Sequence, residues 1–108
     1  MNKLNIKEFE ETFKERLIKR NQPLFDLLSA LEGQVPAPAI DFDPEDGGVE
    51  FVWIYNKRSV SICMERQGSK YGAEYKSVWM VADTIDCRYG HNPTPEFIKA
   101  ELDLLLSN

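Results

Sequence analysis

Two cysteines and a single histidine are the first residues in this chain that could do covalent chemistry. A thiol becomes a nucleophile when a base takes its proton and a third group orients that base. Cys63 or Cys87 with His91, oriented by Asn92 or Asp86, would make a small cysteine-dependent enzyme. Both cysteines, however, fall in stretches that alternate as β-strands, where a thiol is more commonly a small apolar filler. They stand 24 residues apart, with no Cys-x-x-Cys pair and no histidine cluster at zinc-finger spacing. The run Asp41-x-Asp43-x-Glu45 opens like a calcium loop, but its sixth position is Asp46 where a glycine is needed and its twelfth is Val52 where a carboxylate is needed. Gly47-Gly48 precedes a strand instead of leading into a helix, the wrong order for cradling a phosphate. The expectation is a chain with no catalytic residue, no metal ligand and no cofactor.

Binding chemistry is better represented. Residues 21–50 carry seven acidic side chains and no Lys or Arg, in a chain of net charge -5. Such a belt repels phosphate backbones, which disfavours nucleic acid and leaves basic protein surfaces as the natural partners. Lys57, Arg58, Arg66, Lys70 and Lys76, with Tyr71 and Tyr75 close by, form the opposing argument for a nucleic-acid accessory protein. Their ordinary role is to keep turns and sheet edges soluble. The strands are also rich in rings: Phe51, Trp53, Tyr55, Tyr71, Tyr75 and Trp79 exceed what one face of a small sheet must bury. If some are exposed they mark a docking surface; if all are core they only fill a small domain. The expected partner-binding residues are Asp41, Asp43, Glu45, Asp46, Trp53, Tyr75 and Trp79.

The elements that must position these residues follow from periodicity. A length of 108 residues, 43% of them hydrophobic and 29% charged, allows one packed core and one domain. Residues 1–33 read as a helical front. Asn5 and Glu8 form a capping box ahead of Ile6, Phe9, Phe13 and Leu17 at helical spacing, with Glu10–Lys14 and Glu15–Lys19 as stabilising pairs. Pro23 then opens a second helix through Leu24, Leu27, Leu28 and Leu31, which Gly33 stops. Residues 34–48 read as an acidic, Pro-rich connector. Residues 49–89 read as an antiparallel meander of three to four strands: Val49 to Tyr55, Ser59 to Glu65, Glu74 to Val81, and an edge piece within Thr84 to Tyr89. Turns are expected at Asn56-Lys57-Arg58 and at Arg66 to Lys70. Thr94-Pro95-Glu96 is a strong start for a C-terminal helix over 94–107. The fold class is α+β in two layers, with helices on one sheet face.

The segments Pro36-Ala37-Pro38, Pro44 to Trp53 and Ser59-Val60-Ser61-Ile62 together resemble small uncharacterised proteins of bacteria and phages, in which a Pro-rich connector leads into an antiparallel sheet with Trp on its first strand. The resemblance implies an accessory, defence-related or counter-defence context and carries no activity with it. The first residues lack the apolar run of a secretory signal, and no stretch approaches a membrane span, so a cytoplasmic setting with reduced thiols is expected. Taken together, these features predict a non-enzymatic protein-binding module, an inhibitor, immunity-type or antitoxin-like protein. A homodimer through an open sheet edge competes for the same surface.

Overall fold

Alternation of side chains governs the middle of the chain. In the computed structural model, which describes residues 3–7, 15–43, 48–69 and 72–107, two helices come first, α1 (Glu15–Arg20) and α2 (Gln22–Leu31). Strands β1 (Ala39–Asp43), β2 (Gly48–Tyr55), β3 (Arg58–Ser69), β4 (Gly72–Ala82) and β5 (Cys87–His91) follow, and α3 (Pro95–Ser107) comes last. The strands form one antiparallel sheet in the order β1-β2-β3-β4-β5, an unbroken meander. The α+β class and the meander agree with the sequence reading; the strand number does not. Five strands are paired among the described residues, where three to four were expected.

The additional strand lies in the stretch read as connector. Ile40 pairs with Phe51 and Asp41 with Glu50, so an acidic segment flanked by prolines is drawn into the ladder by its apolar partners on β2. The β3–β4 hairpin also runs further than its composition suggests. Gly68 and Ser69, which look like turn residues, remain paired with Ala73 and Gly72; residues 70–71 between the strands lie outside the described residues. Beyond the pairing with β2, which stops at Cys63, and with β5, which begins at Val78, β3 and β4 continue as a two-stranded arm.

Local chemistry accounts for the ends of the elements. Asn21 is a one-residue break between α1 and α2, and its carbonyl accepts from the N–H groups of Leu24 and Phe25 at 2.9 and 3.2 Å. Helix α2 begins at Gln22, one residue before the proline. Gly33, with φ of +76°, takes the left-handed conformation that stops α2. Leu4 N–H then donates to the Val35 carbonyl and Gly33 N–H to the Leu4 carbonyl, tying the N-terminal segment down. Asn56 and Lys57, both at positive φ, form the two-residue turn of the β2–β3 hairpin. Thr94 Oγ1 accepts from Phe97 N–H at 3.1 Å, the expected cap of α3. Asn5 Oδ1 accepts from Lys7 N–H at 3.1 Å. Its expected partner Glu8, with Phe9, Phe13 and the Glu10–Lys14 pair, lies outside the described residues, as does the side chain of Leu17.

One face of the sheet carries the core. Val49, Phe51 and Trp53 of β2 and Val60 and Ile62 of β3 are buried in one cluster with Leu24, Phe25, Leu28 and Leu31 of α2, Ile98, Leu102 and Leu105 of α3, and Leu4 and Ile6 of the N-terminal segment. Phe25 and Phe51 meet edge to face, their ring centres 5.7 Å apart. Toward β5, Trp79 packs on Phe97 of α3 at 4.6 Å. Directly opposite Trp79 in the ladder stands Gly90, where an added Cβ would lie 2.8 Å from the indole.

Candidate protein-binding face

A β-strand sends alternate side chains to opposite faces, so the residues interleaved with the core must point away from the helices. On β2 these are Glu50, Val52 and Ile54. The ladder continues them into two rows: Ala39, Val52, Ser61, Met80 and Tyr89 in one, and Asp41, Glu50, Cys63, Val78 and His91 in the next. Among the described residues no helix packs on this side, since α2 and α3 both contribute to the core on the other. Val78 and Ser61 at the centre of this face are buried, but Ile54 is 71%, Tyr89 70% and Met80 42% exposed, a set of apolar side chains left in water around it.

The acidic end of this face is electrostatically loaded. Asp41 and Glu50 are direct cross-strand partners, and like charges placed opposite one another destabilise a pair of strands. Partial burial, and then the Asp41 charge, push the Glu50 carboxyl above its ordinary range. Glu65 on the same face has a base, Lys76, as its cross-strand neighbour, and none of Asp41, Glu50 and Glu65 takes part in a salt bridge among the described residues.

The expected binding residues divide between the two faces. Asp41 is exposed on the uncovered face. Asp43 ends β1 opposite Gly48, its side chain outside the described set, as are Glu45 and Asp46 entirely. Trp53 is corrected from contact residue to core residue: it is 5% exposed, and its indole Nε1 donates to the Pro36 carbonyl at 2.7 Å. Trp79 has the same strand parity as the core and is half-buried against Phe97, so it too serves the interior. Tyr75 is 42% exposed, but on the helix side of the arm, where its hydroxyl accepts from Arg20 at 3.0 Å and its ring lies under that guanidinium at 5.2 Å. The structure therefore separates Asp41 from the three rings by the thickness of the sheet. Sequence reasoning missed Glu50, Ile54, Met80 and Tyr89 as a group. The available signal was β2 itself, apolar on both of its faces.

The thiols and the histidine do not converge. Cys63 and His91 share a row but are held apart by β4, with Val78 between them, two strand spacings or about 10 Å. Cys87 and His91 lie on one strand, four residues or about 13 Å apart along it. Cys63 is half-buried and Cys87 exposed, both free. Burial first, and then Glu50 and Glu65, push the Cys63 thiol above its usual range, which suppresses the thiolate a nucleophile requires. Asp41 and Asp43 sit in a paired strand, not a calcium loop. Among the described residues no three His, Cys, Asp or Glu side chains are grouped to hold a metal.

The basic residues are partly engaged elsewhere. Arg58 donates to the Leu105 carbonyl at 3.2 Å, and Lys70 and Tyr71 lie outside the described residues. A recess of about 250 Å³ opens between Val60 and Val81 of the sheet and Leu104 and Leu105 of α3. At its rim Arg88 is bound to Glu101 at 3.1 Å, and Asp83 accepts from the Ile85 and Asp86 N–H groups at 2.7 Å. These two backbone hydrogen bonds hold the Asp83 carboxyl below its usual range. The charged groups there are engaged, Arg88 with Glu101, and Asp83 and Arg58 with backbone groups.

No helix among the described residues is long and apolar enough to cross a membrane. No protein-family model, curated protein or solved structure matches the chain.

Proposed function

We propose that this chain is a non-enzymatic protein-binding module that works by occupying a partner's surface, in the manner of an inhibitor, an immunity-type protein or an antitoxin-like accessory factor. The observation that carries the reading is the sheet face on which no helix packs among the described residues, where Ile54, Met80 and Tyr89 remain exposed and the Asp41–Glu50 carboxylates stand at one end. Apolar side chains grouped on one face and rimmed by charge are the usual composition of a protein contact. The dispersal of Cys63, Cys87 and His91 supports binding over thiol catalysis. The proposed setting is the cytoplasm, where both thiols stay reduced.

The test is affinity capture from an extract of the source organism, nuclease-treated, with the native chain and an Ile54→Lys/Tyr89→Ser variant as parallel baits. A stoichiometric protein partner retained by the native chain and lost by the variant is the expected result. Recovery of nucleic acid alone, or of the same protein on both baits, refutes the assignment of this face.

A further inference from the structure

We infer that the uncovered sheet face receives a basic amphipathic helix of a protein partner, whose Lys or Arg side chains sit over the Asp41–Glu50 pair while its apolar stripe covers Met80, Tyr89 and Ile54. This rests on the protein-binding reading above and specifies the partner's chemistry. Three observations lead to it.

The first is the arrangement of charge. Asp41 and Glu50 face each other across the β1–β2 ladder, and no Lys or Arg occupies an outward position of β1 or β2. Glu65 has a base, Lys76, as its cross-strand neighbour, whereas the cross-strand neighbour of Asp41 is another acid, Glu50. A cation delivered from outside removes the repulsion between Asp41 and Glu50 and gains two charge-assisted hydrogen bonds.

The second is the adjoining apolar row. Val52, Met80 and Tyr89 lie in the row next to that of Asp41 and Glu50, with Ser61 between Val52 and Met80 and with Ile54 at the corner; the two carboxylates stand at the β1–β2 end of the face and Met80 and Tyr89 at the β4–β5 end. Four strand spacings make the face about 19 Å wide, enough to seat one helix of about 10–12 Å diameter with charged side chains reaching to one flank. The opposite face of the same sheet already packs helices, α2 and α3.

The third excludes the simplest other occupant. A second copy would bring together two chains of net charge -5 and lay the Asp41–Glu50 pair against an acidic molecule, with Lys76 and His91 as the basic groups on the face among the described residues. Electrostatic complementarity favours a basic partner over self-association.

The experiment uses the full chain and two synthetic peptides of about 18 residues, long enough to form helices, one of Leu and Lys and one of Leu and Glu in the same amphipathic pattern. Binding is followed by fluorescence anisotropy, and the site by amide chemical shifts. The Leu/Lys peptide is expected to bind, to shift the amides of the outward-facing residues across β1 to β5, and to bind roughly tenfold more weakly to Asp41→Asn/Glu50→Gln. The Leu/Glu peptide is expected not to bind. Failure of the Leu/Lys peptide to bind, or equal binding by the isosteric double variant, overturns the inference. If both peptides bind and Tyr89→Ala with Met80→Asp abolishes both, the protein-binding reading stands and the basic partner falls. Concentration-dependent shifts on this face without peptide, with a doubled mass in sedimentation, assign it to a second copy and also overturn the inference.

Discussion

Replacing Trp53 separates an interior role from a contact role. The indole is almost fully buried, and its N–H reaches the Pro36 carbonyl at 2.7 Å, fastening the segment before β1 to the centre of the sheet. Trp53→Phe keeps a ring but removes that hydrogen bond, a loss of about 1 kcal/mol. Losing the second ring removes about 40 Å² of buried apolar surface, worth about another 1 kcal/mol. The expected cost is therefore about 2 kcal/mol, which lowers the melting temperature of a domain this size by about 10 °C. Trp53→Ala adds a cavity and should cost about 4 kcal/mol, a large part of the total stability of such a domain. Urea unfolding followed by far-ultraviolet circular dichroism measures both, with an unchanged slope showing that the denatured state is comparable. Tyr89→Ala is the control, and its exposed ring predicts a change within about 0.5 kcal/mol. A Trp53→Phe chain as stable as the native one, with partner capture lost, would show that the indole is a contact residue and refute the argument from burial.

Two further outcomes test the electrostatics. Because Glu50 holds its proton more tightly folded than unfolded, the folded state loses stability as pH rises through the window between the unfolded and folded values. Glu50→Gln should thus be more stable than the native chain at neutral pH, with the advantage disappearing in acid where the native carboxyl is protonated. Parallel urea titrations at the two pH values decide it, and a variant less stable at neutral pH contradicts the cost of partly burying the Glu50 charge beside Asp41. For the thiols, a disulfide reagent at mildly alkaline pH should modify exposed Cys87 first and half-buried Cys63 much more slowly. Equal rates in the folded protein would show that Cys63 is not shielded, whereas equal rates in denaturant are expected.

How far the sequence carries depends on whether a feature is local. The start of α3 was legible because Thr94, Pro95 and Glu96 each act within one turn. So were the stop at Gly33 and the turn at Asn56-Lys57, where positive φ is a property of the residue and its immediate neighbours. Strand β1 was not, since Ile40 is held by Phe51, which no short window includes. The hairpin turn was misplaced for a related reason: Gly68 favours a bend, but pairing along a long ladder overrides it. The candidate site failed at one specific step. Parity along β2 divides its side chains into two sets, yet both sets are apolar, and only the docking of α2 and α3 decides which set is covered. Trp53 fell into the covered set and Ile54 into the open one.

The contact between Trp79 and Gly90 bears on how the last strand finds its place. Edge strands are prone to slide, because a short ladder with few side-chain constraints has several nearly equivalent alignments. Here the indole lies over the one position on β5 with no side chain, and any Cβ there would meet ring atoms at 2.8 Å. A slip of one residue would bring Tyr89 or His91 against a ring already clamped by Phe97. The glycine therefore acts as a keyhole for a tryptophan key, admitting a single alignment and rejecting the neighbouring ones by steric exclusion instead of by added attraction.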